Sequence, residues 1–189
     1  MTVPNVLTMT RIVMIPVLIL IFYLPVPWAH GLAAAIFLIA SFTDWLDGFV
    51  ARKFKQGTRF GAFLDPVADK LLVACILLLL VGSCDRGYIT LPAIVIVSRE
   101  IMISALREWM AEIGDSESVS VSYIAKVKTT VQMISLTLLL AFKPAFAMSM
   151  TAVLGILGMV LLYVAAVLTI WSMVVYLMAA WPKVHEKSA

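Results

Sequence analysis

Four aspartates stand close together in a chain otherwise poor in charge. Asp44, Asp47, Asp65 and Asp69 all fall within "DWLDGFVARKFKQGTRFGAFLDPVADK". At about 100° per residue, helical spacing puts Asp44, Asp47 and Ala51 within a roughly 60° sector of one face, and Asp65 and Asp69 on one face of the next helix. A short loop holding Gly57 and Gly61 is expected to turn the chain back, so that the two faces meet. Four neighbouring carboxylates repel one another and take up protons unless cations compensate them. Hard divalent ions with oxygen ligands, Mg²⁺ or Mn²⁺, are the natural compensation. Two such ions held by these aspartates would suit phosphoryl-group transfer. Gly48 and Gly61 let backbone approach a ligand without a Cβ in the way, and Ala51 keeps its helix face shallow. Arg52 can bridge phosphate with its planar fork. A plainer account makes Asp65 a helix N-cap with Pro66 at the first helical position, and Arg52, Lys53, Lys55 and Arg59 interfacial snorkellers. It leaves Asp44, Asp47 and Asp69 unexplained.

The elements that must position these residues follow from composition. Of 189 residues, 63% are hydrophobic and 13% charged, too little polar surface to clothe a water-soluble domain of this length. The expected class is an all-α integral membrane protein forming one domain over residues 1–189. Six apolar runs serve as spans: Leu7–Leu24, Leu32–Val50, Pro66–Val81, Leu91–Met110, Ile124–Phe142 and Thr151–Ala180. The first is expected to stay uncleaved, because "YLPVPWAHG" offers no small-x-small site. Lysine and arginine crowd the termini and the gaps after the second and fourth runs, while the opposite gaps hold only Arg86 and Lys143. The positive-inside rule then predicts both termini in the cytoplasm and the aspartates at the cytoplasmic interface. The net charge of +3 fits loops facing anionic headgroups or phosphorylated ligands better than nucleic acid.

A second set of residues suits an acidic substrate. Arg99 lies inside "AIVIVSREIMISAL", where an unpaired charge is expensive. Arg107 is two turns on and about 80° round, so both can border one cavity. Lys126 and Lys128 open the next span on the same side of the bilayer. A dianionic phosphate monoester would justify such a cluster. The alternative is an internal pair of Arg99 with Glu100 or Asp44. Lys70 could balance the aspartates or bind phosphate. His30 and His185 are isolated, Cys75 and Cys84 are too far apart on one helix to bridge, and Gly155 and Gly158 suit close helix packing. The tryptophans, and tyrosines near span ends, suit interface anchors.

The pattern Asp44-x-x-Asp47-Gly48-x-x-Ala51-Arg52, eight residues, Gly61-x-x-x-Asp65-x-x-x-Asp69 resembles the signature of the CDP-alcohol phosphatidyltransferases. The resemblance implies a six-helix membrane enzyme, usually a homodimer, that moves a substituted phosphate from a CDP-linked donor to an alcohol and releases CMP. By position, Asp44, Asp47 and Asp65 resemble the principal metal ligands, and Asp69 resembles the ligand that also takes the proton of the attacking hydroxyl. Gly48, Ala51, Arg52 and Gly61 match nucleotide-holding positions, and the same resemblance extends this role to Asn5, Thr8 and Arg11. "PNVLTMTRIVMIPV", "FGAFLDPVADKLLV", "SREIMISALREWMAE" and "KVKTTVQM" are similar to bacterial members using CDP-diacylglycerol and sn-glycerol 3-phosphate. That similarity implies an inner-membrane location. Two rivals share the aspartates. One is a sister enzyme with inositol phosphate or serine as acceptor. The other is a cation transporter, which would want its carboxylates nearer mid-bilayer.

Overall fold

The computed structural model describes the backbone of residues 3–54, 59–83, 87–113, 123–142 and 149–186; within these, burial and side chains are described for 8–43, 64, 66–83, 87–111, 126–142, 149–179 and 181. The described residues form six helices: α1 (Val3–Phe22), α2 (Ala29–Phe54), α3 (Arg59–Ser83), α4 (Thr90–Ile113), α5 (Tyr123–Ala141) and α6 (Met150–Glu186). Each coincides with one predicted apolar run, and no strand occurs among the described residues.

Two boundary expectations are corrected. The third helix starts at Arg59 rather than Pro66, so Gly61 is helical and does not belong to the loop. Asp65 is likewise an interior helical residue and not an N-cap. Proline at position 66 removes only the backbone bond to the Ala62 carbonyl, and the helix runs through it. Pro16 sits inside α1 in the same way. Consequently Asp44 through Arg52 all lie on α2, and Gly61, Asp65 and Asp69 follow one another at four-residue intervals along α3.

Packing centres on α5. It pairs most extensively with α6 and also touches α2 and α3, while α1 packs on α2 and α3, and α4 leans on α6. Leu18, Phe37, Leu72, Ile76, Leu136 and Leu162 form the middle of a core drawn from every helix. Small residues let helices close up. A Cβ built on Gly158 would lie 3.0 Å from Leu138 Cβ and 3.1 Å from Leu139 Cγ, so glycine is what allows α6 to approach α5 there. Ser135 Oγ donates to the Gly158 carbonyl at 2.7 Å across that contact. This bears out the packing role expected of Gly158.

The exterior inverts the usual arrangement. Leu20, Leu78, Leu91 and Val167 are each about two-thirds exposed, while Thr8, Arg11, Arg99, Lys128, Gln132 and Ser172 are buried. Among the described residues, two helical stretches, Pro66–Ser83 and Met150–Ala179, are long and apolar enough to cross a membrane. Thr8–Phe22 and Ala29–Thr43 are shorter apolar stretches.

Candidate active site

The best-defined polar assembly links four helices. On α4, Arg99 is 6% exposed, and on α5, Lys128 is 3% exposed. Both cations bond one oxygen of Glu100. Arg99 Nη1 donates to Glu100 Oε1 at 3.2 Å, and Lys128 Nζ donates to the same atom. Arg99 reaches α6 with its other arm, Nη2 donating to Ser172 Oγ at 3.0 Å. That hydroxyl in turn donates to the Thr169 carbonyl at 3.0 Å, which fixes its direction.

Two turns along α4, Arg107 Nη2 donates to the Tyr176 hydroxyl at 3.0 Å. The Tyr176 ring receives both guanidiniums, with its centroid 5.8 Å from Arg99 Cζ and 5.2 Å from Arg107 Cζ. Both separations fall within cation–π range. The convergence of Arg99 and Arg107 expected from their register is therefore present, on an aromatic that sequence reasoning assigned to interface anchoring. Tyr176 is instead 3% exposed and packs with Ile103 and Met110. The available signal was the spacing of Thr169, Ser172 and Tyr176, three polar groups along one stripe of an otherwise apolar helix.

The third helix joins from the side of the aspartates. Asp69 is half-buried and within electrostatic reach of Lys128. Lys70 donates to Ser104 Oγ on α4 and is within electrostatic reach of Glu100. Between α3 and α4 opens a groove of ≈ 430 Å³, with Lys70, Glu100, Ser104 and Glu108 among its lining residues. Pro66 and Leu71 contribute to its apolar wall.

Charge is unbalanced along this seam. Among the described residues, Lys70, Arg99, Arg107 and Lys128 stand with Glu100, Asp69 and the groove's Glu108, four cations to three carboxylates, where desolvation makes excess charge costly. Arg99 Nε is buried and lacks a hydrogen-bond partner. Such an unmet donor costs about 1–3 kcal/mol. Both features suit an anion with several acceptor oxygens.

Other predicted residues fall differently. Thr8 and Arg11 are 0% and 1% exposed, one turn apart on α1. Lys126 is exposed, and its two-residue offset from Lys128 turns it about 200° round α5, away from the seam. The internal pair of Arg99 with Glu100, offered by the sequence as the alternative to phosphate contact, is present, and Glu100 accepts from Lys128 as well. His30 packs edge-on against Phe22 at 4.9 Å. The side chains of Asn5, Asp44, Asp47, Ala51, Arg52 and Asp65, together with the surroundings of Gly48 and Gly61, lie outside the described residues.

No group of three potential metal ligands occurs among the described residues. The helical backbone nevertheless places Asp44 and Asp47 on one stripe of α2, and Asp65 and Asp69 on one stripe of α3. An all-carboxylate oxygen set of this kind fits a hard divalent cation.

Comparison with known proteins agrees in chain length and in the run of the sequence. The profile of the CDP-alcohol phosphatidyltransferases matches residues 1–180. The chain is 56% identical over 180 residues to the CDP-diacylglycerol–glycerol-3-phosphate 3-phosphatidyltransferase of Sodalis glossinidius (strain morsitans), covering 95% of each chain. It is 52% identical over 178 residues to the protein of that name from Escherichia coli (strain K12), covering 94% of each. With a match along nearly its whole length, the chain belongs to the CDP-alcohol phosphatidyltransferase family.

Proposed function

We propose that this protein transfers the phosphatidyl group of CDP-diacylglycerol to sn-glycerol 3-phosphate, giving phosphatidylglycerophosphate and CMP. The observation that carries the choice of acceptor is the buried pair Arg99 and Lys128 sharing the single carboxylate Glu100, with Arg107 alongside on neutral Tyr176. Serine or free inositol offers no phosphate to balance that charge. The names of the similar proteins support the same donor and acceptor.

In this reading the six helices span a bacterial inner membrane with both termini in the cytoplasm. The apolar exterior and the distribution of lysine and arginine support that arrangement. Diacylglycerol tails stay in lipid while the CDP head reaches the cytoplasmic ends of α2 and α3. Gly48, Ala51, Arg52 and Gly61, with Asn5 and Thr8 on α1, hold the nucleotide. Asp44, Asp47, Asp65 and Asp69 would hold two divalent cations, Mg²⁺ or Mn²⁺, which when bound neutralise phosphate oxygens and ease departure of CMP. Arg99, Arg107 and Lys128 grip the phosphate of glycerol 3-phosphate, and Glu100 keeps Arg99 and Lys128 in place. Lys126 is left out of the grip because of its position on α5. Asp69 takes the proton of the primary hydroxyl as that oxygen bonds to the β-phosphorus and the bond to CMP breaks. A homodimer is the expected assembly.

The test is CMP release by purified protein in detergent with CDP-diacylglycerol and Mg²⁺. Glycerol 3-phosphate should outpace inositol, inositol phosphate and serine, and chelation of the metal should stop release. Equal rates with inositol phosphate would move the protein to a sister activity.

A further inference from the structure

Gln132 is a buried polar residue for which the account above has no use. It lies on α5 one turn beyond Lys128, and four residues correspond to about 40° of rotation and roughly 6 Å of rise, so the two share a stripe. Gln132 is 2% exposed, and its Oε1 is buried with no hydrogen-bond partner. Further along, Ser135 is satisfied by the Gly158 carbonyl, and Leu136 is apolar and fully buried. Packing alone gives no reason for an amide here, because leucine or methionine would fill similar space without stranding a carbonyl.

The unmet atoms near this end of the bundle are complementary in kind. Arg99 Nε is a donor awaiting an acceptor, and Gln132 Oε1 is an acceptor awaiting a donor. A phosphate ester of a polyol brings both, phosphate oxygens for the arginine and a hydroxyl for the amide. Glycerol 3-phosphate carries one hydroxyl that reacts and a second, on the middle carbon, that does not. We propose that Gln132 is a specificity-determining residue whose carboxamide oxygen accepts a hydrogen bond from that idle secondary hydroxyl. The proposal deepens the acceptor assignment above and rests on it. Its consequence is selection for vicinal diol phosphates over phosphates of simple alcohols, since a site built around a hydroxyl penalises an analogue that leaves its polar group unmet.

The experiment compares sn-glycerol 3-phosphate with 3-hydroxypropyl phosphate, which has the same length and charge but lacks the middle hydroxyl. CMP release is followed for the wild type, Gln132→Met and Gln132→Glu. The wild type should favour glycerol 3-phosphate by about tenfold or more in kcat/KM. Gln132→Met should erase that preference by lowering glycerol 3-phosphate turnover to the level of the deoxy acceptor, whose own kcat/KM stays within about threefold. Its thermal midpoint should not fall, because the change removes a stranded carbonyl. Gln132→Glu retains an acceptor oxygen and should retain the preference; if the Met variant fails to fold, the Glu variant decides the matter alone. Equal slowing of both acceptors by Gln132→Met, loss of preference in Gln132→Glu, or absence of preference in the wild type would each overturn the proposal. A wild type that uses neither phosphate yet works on another alcohol would remove the acceptor assignment itself.

Discussion

The aspartate arm and the cationic seam are built in opposite ways. The arm is local: its residues lie between positions 44 and 69, on the end of α2 and the start of α3, and fixed spacing within two helices defines it. The seam is assembled from four helices, with Lys70 on α3, Arg99, Glu100 and Arg107 on α4, Lys128 on α5, and Ser172 and Tyr176 on α6. On the function proposed above, chemistry that demands a fixed geometry around phosphorus would be written compactly, and recognition of the acceptor would be spread over the fold. Substitutions of the arm's aspartates should remove the reaction and leave acceptor binding. Substitutions in the seam should alter binding or stability first.

The largest effect expected is in the arm. Asp69→Asn should lower kcat by about 10²–10⁴, the range for loss of a general base, with the thermal midpoint little changed. Near-normal turnover would remove Asp69 as the base. Next comes the hub of the seam. Glu100→Gln leaves Arg99 and Lys128 without their shared carboxylate, and breaking a buried pair from one side costs about 3–5 kcal/mol. A clear fall in thermal midpoint in detergent is expected, and an unchanged midpoint would show that the two cations are held by something else.

Arg99→Met should raise KM for glycerol 3-phosphate about tenfold to a hundredfold, with KM for the CDP-linked donor unchanged, the scale of a charge-assisted hydrogen bond. A shift confined to the donor would blur the division between the two regions. Tyr176→Phe keeps the ring beneath both guanidiniums and removes only the hydroxyl that accepts from Arg107. The acceptor KM should rise about threefold to tenfold. Lys126→Ala is the smallest change: exposed and on the far side of α5, it should alter acceptor kinetics by less than about twofold.

How much of this was legible in the sequence follows the same division. The six helices were visible as apolar runs because each has to bury or expose a long hydrophobic length. Asp44 through Asp69 were visible because their spacing matches the helical repeat. The start of α3 was misplaced, since a proline after an aspartate is the usual mark of a helix entrance and here sits in the interior. The meeting of Arg99 and Arg107 followed from their register. Tyr176 was missed because an aromatic near the end of an apolar helix has the same sequence signature whether it faces headgroups or supports two arginines. Glu100 was seen, yet its two-cation role depends on Lys128 arriving from another helix, which no local pattern encodes.

The tight fit at Gly158 bears on how the bundle deforms. With backbone from α6 pressed against Leu138 and Leu139 and tied to Ser135, those two helices behave mechanically as a single strut. Between α3 and α4, by contrast, the helices part around an open groove. A ligand widening that groove would part Lys70 from Ser104 and leave Lys128 and Gln132, one turn apart on α5, at their fixed spacing, much as a caliper keeps one jaw fixed.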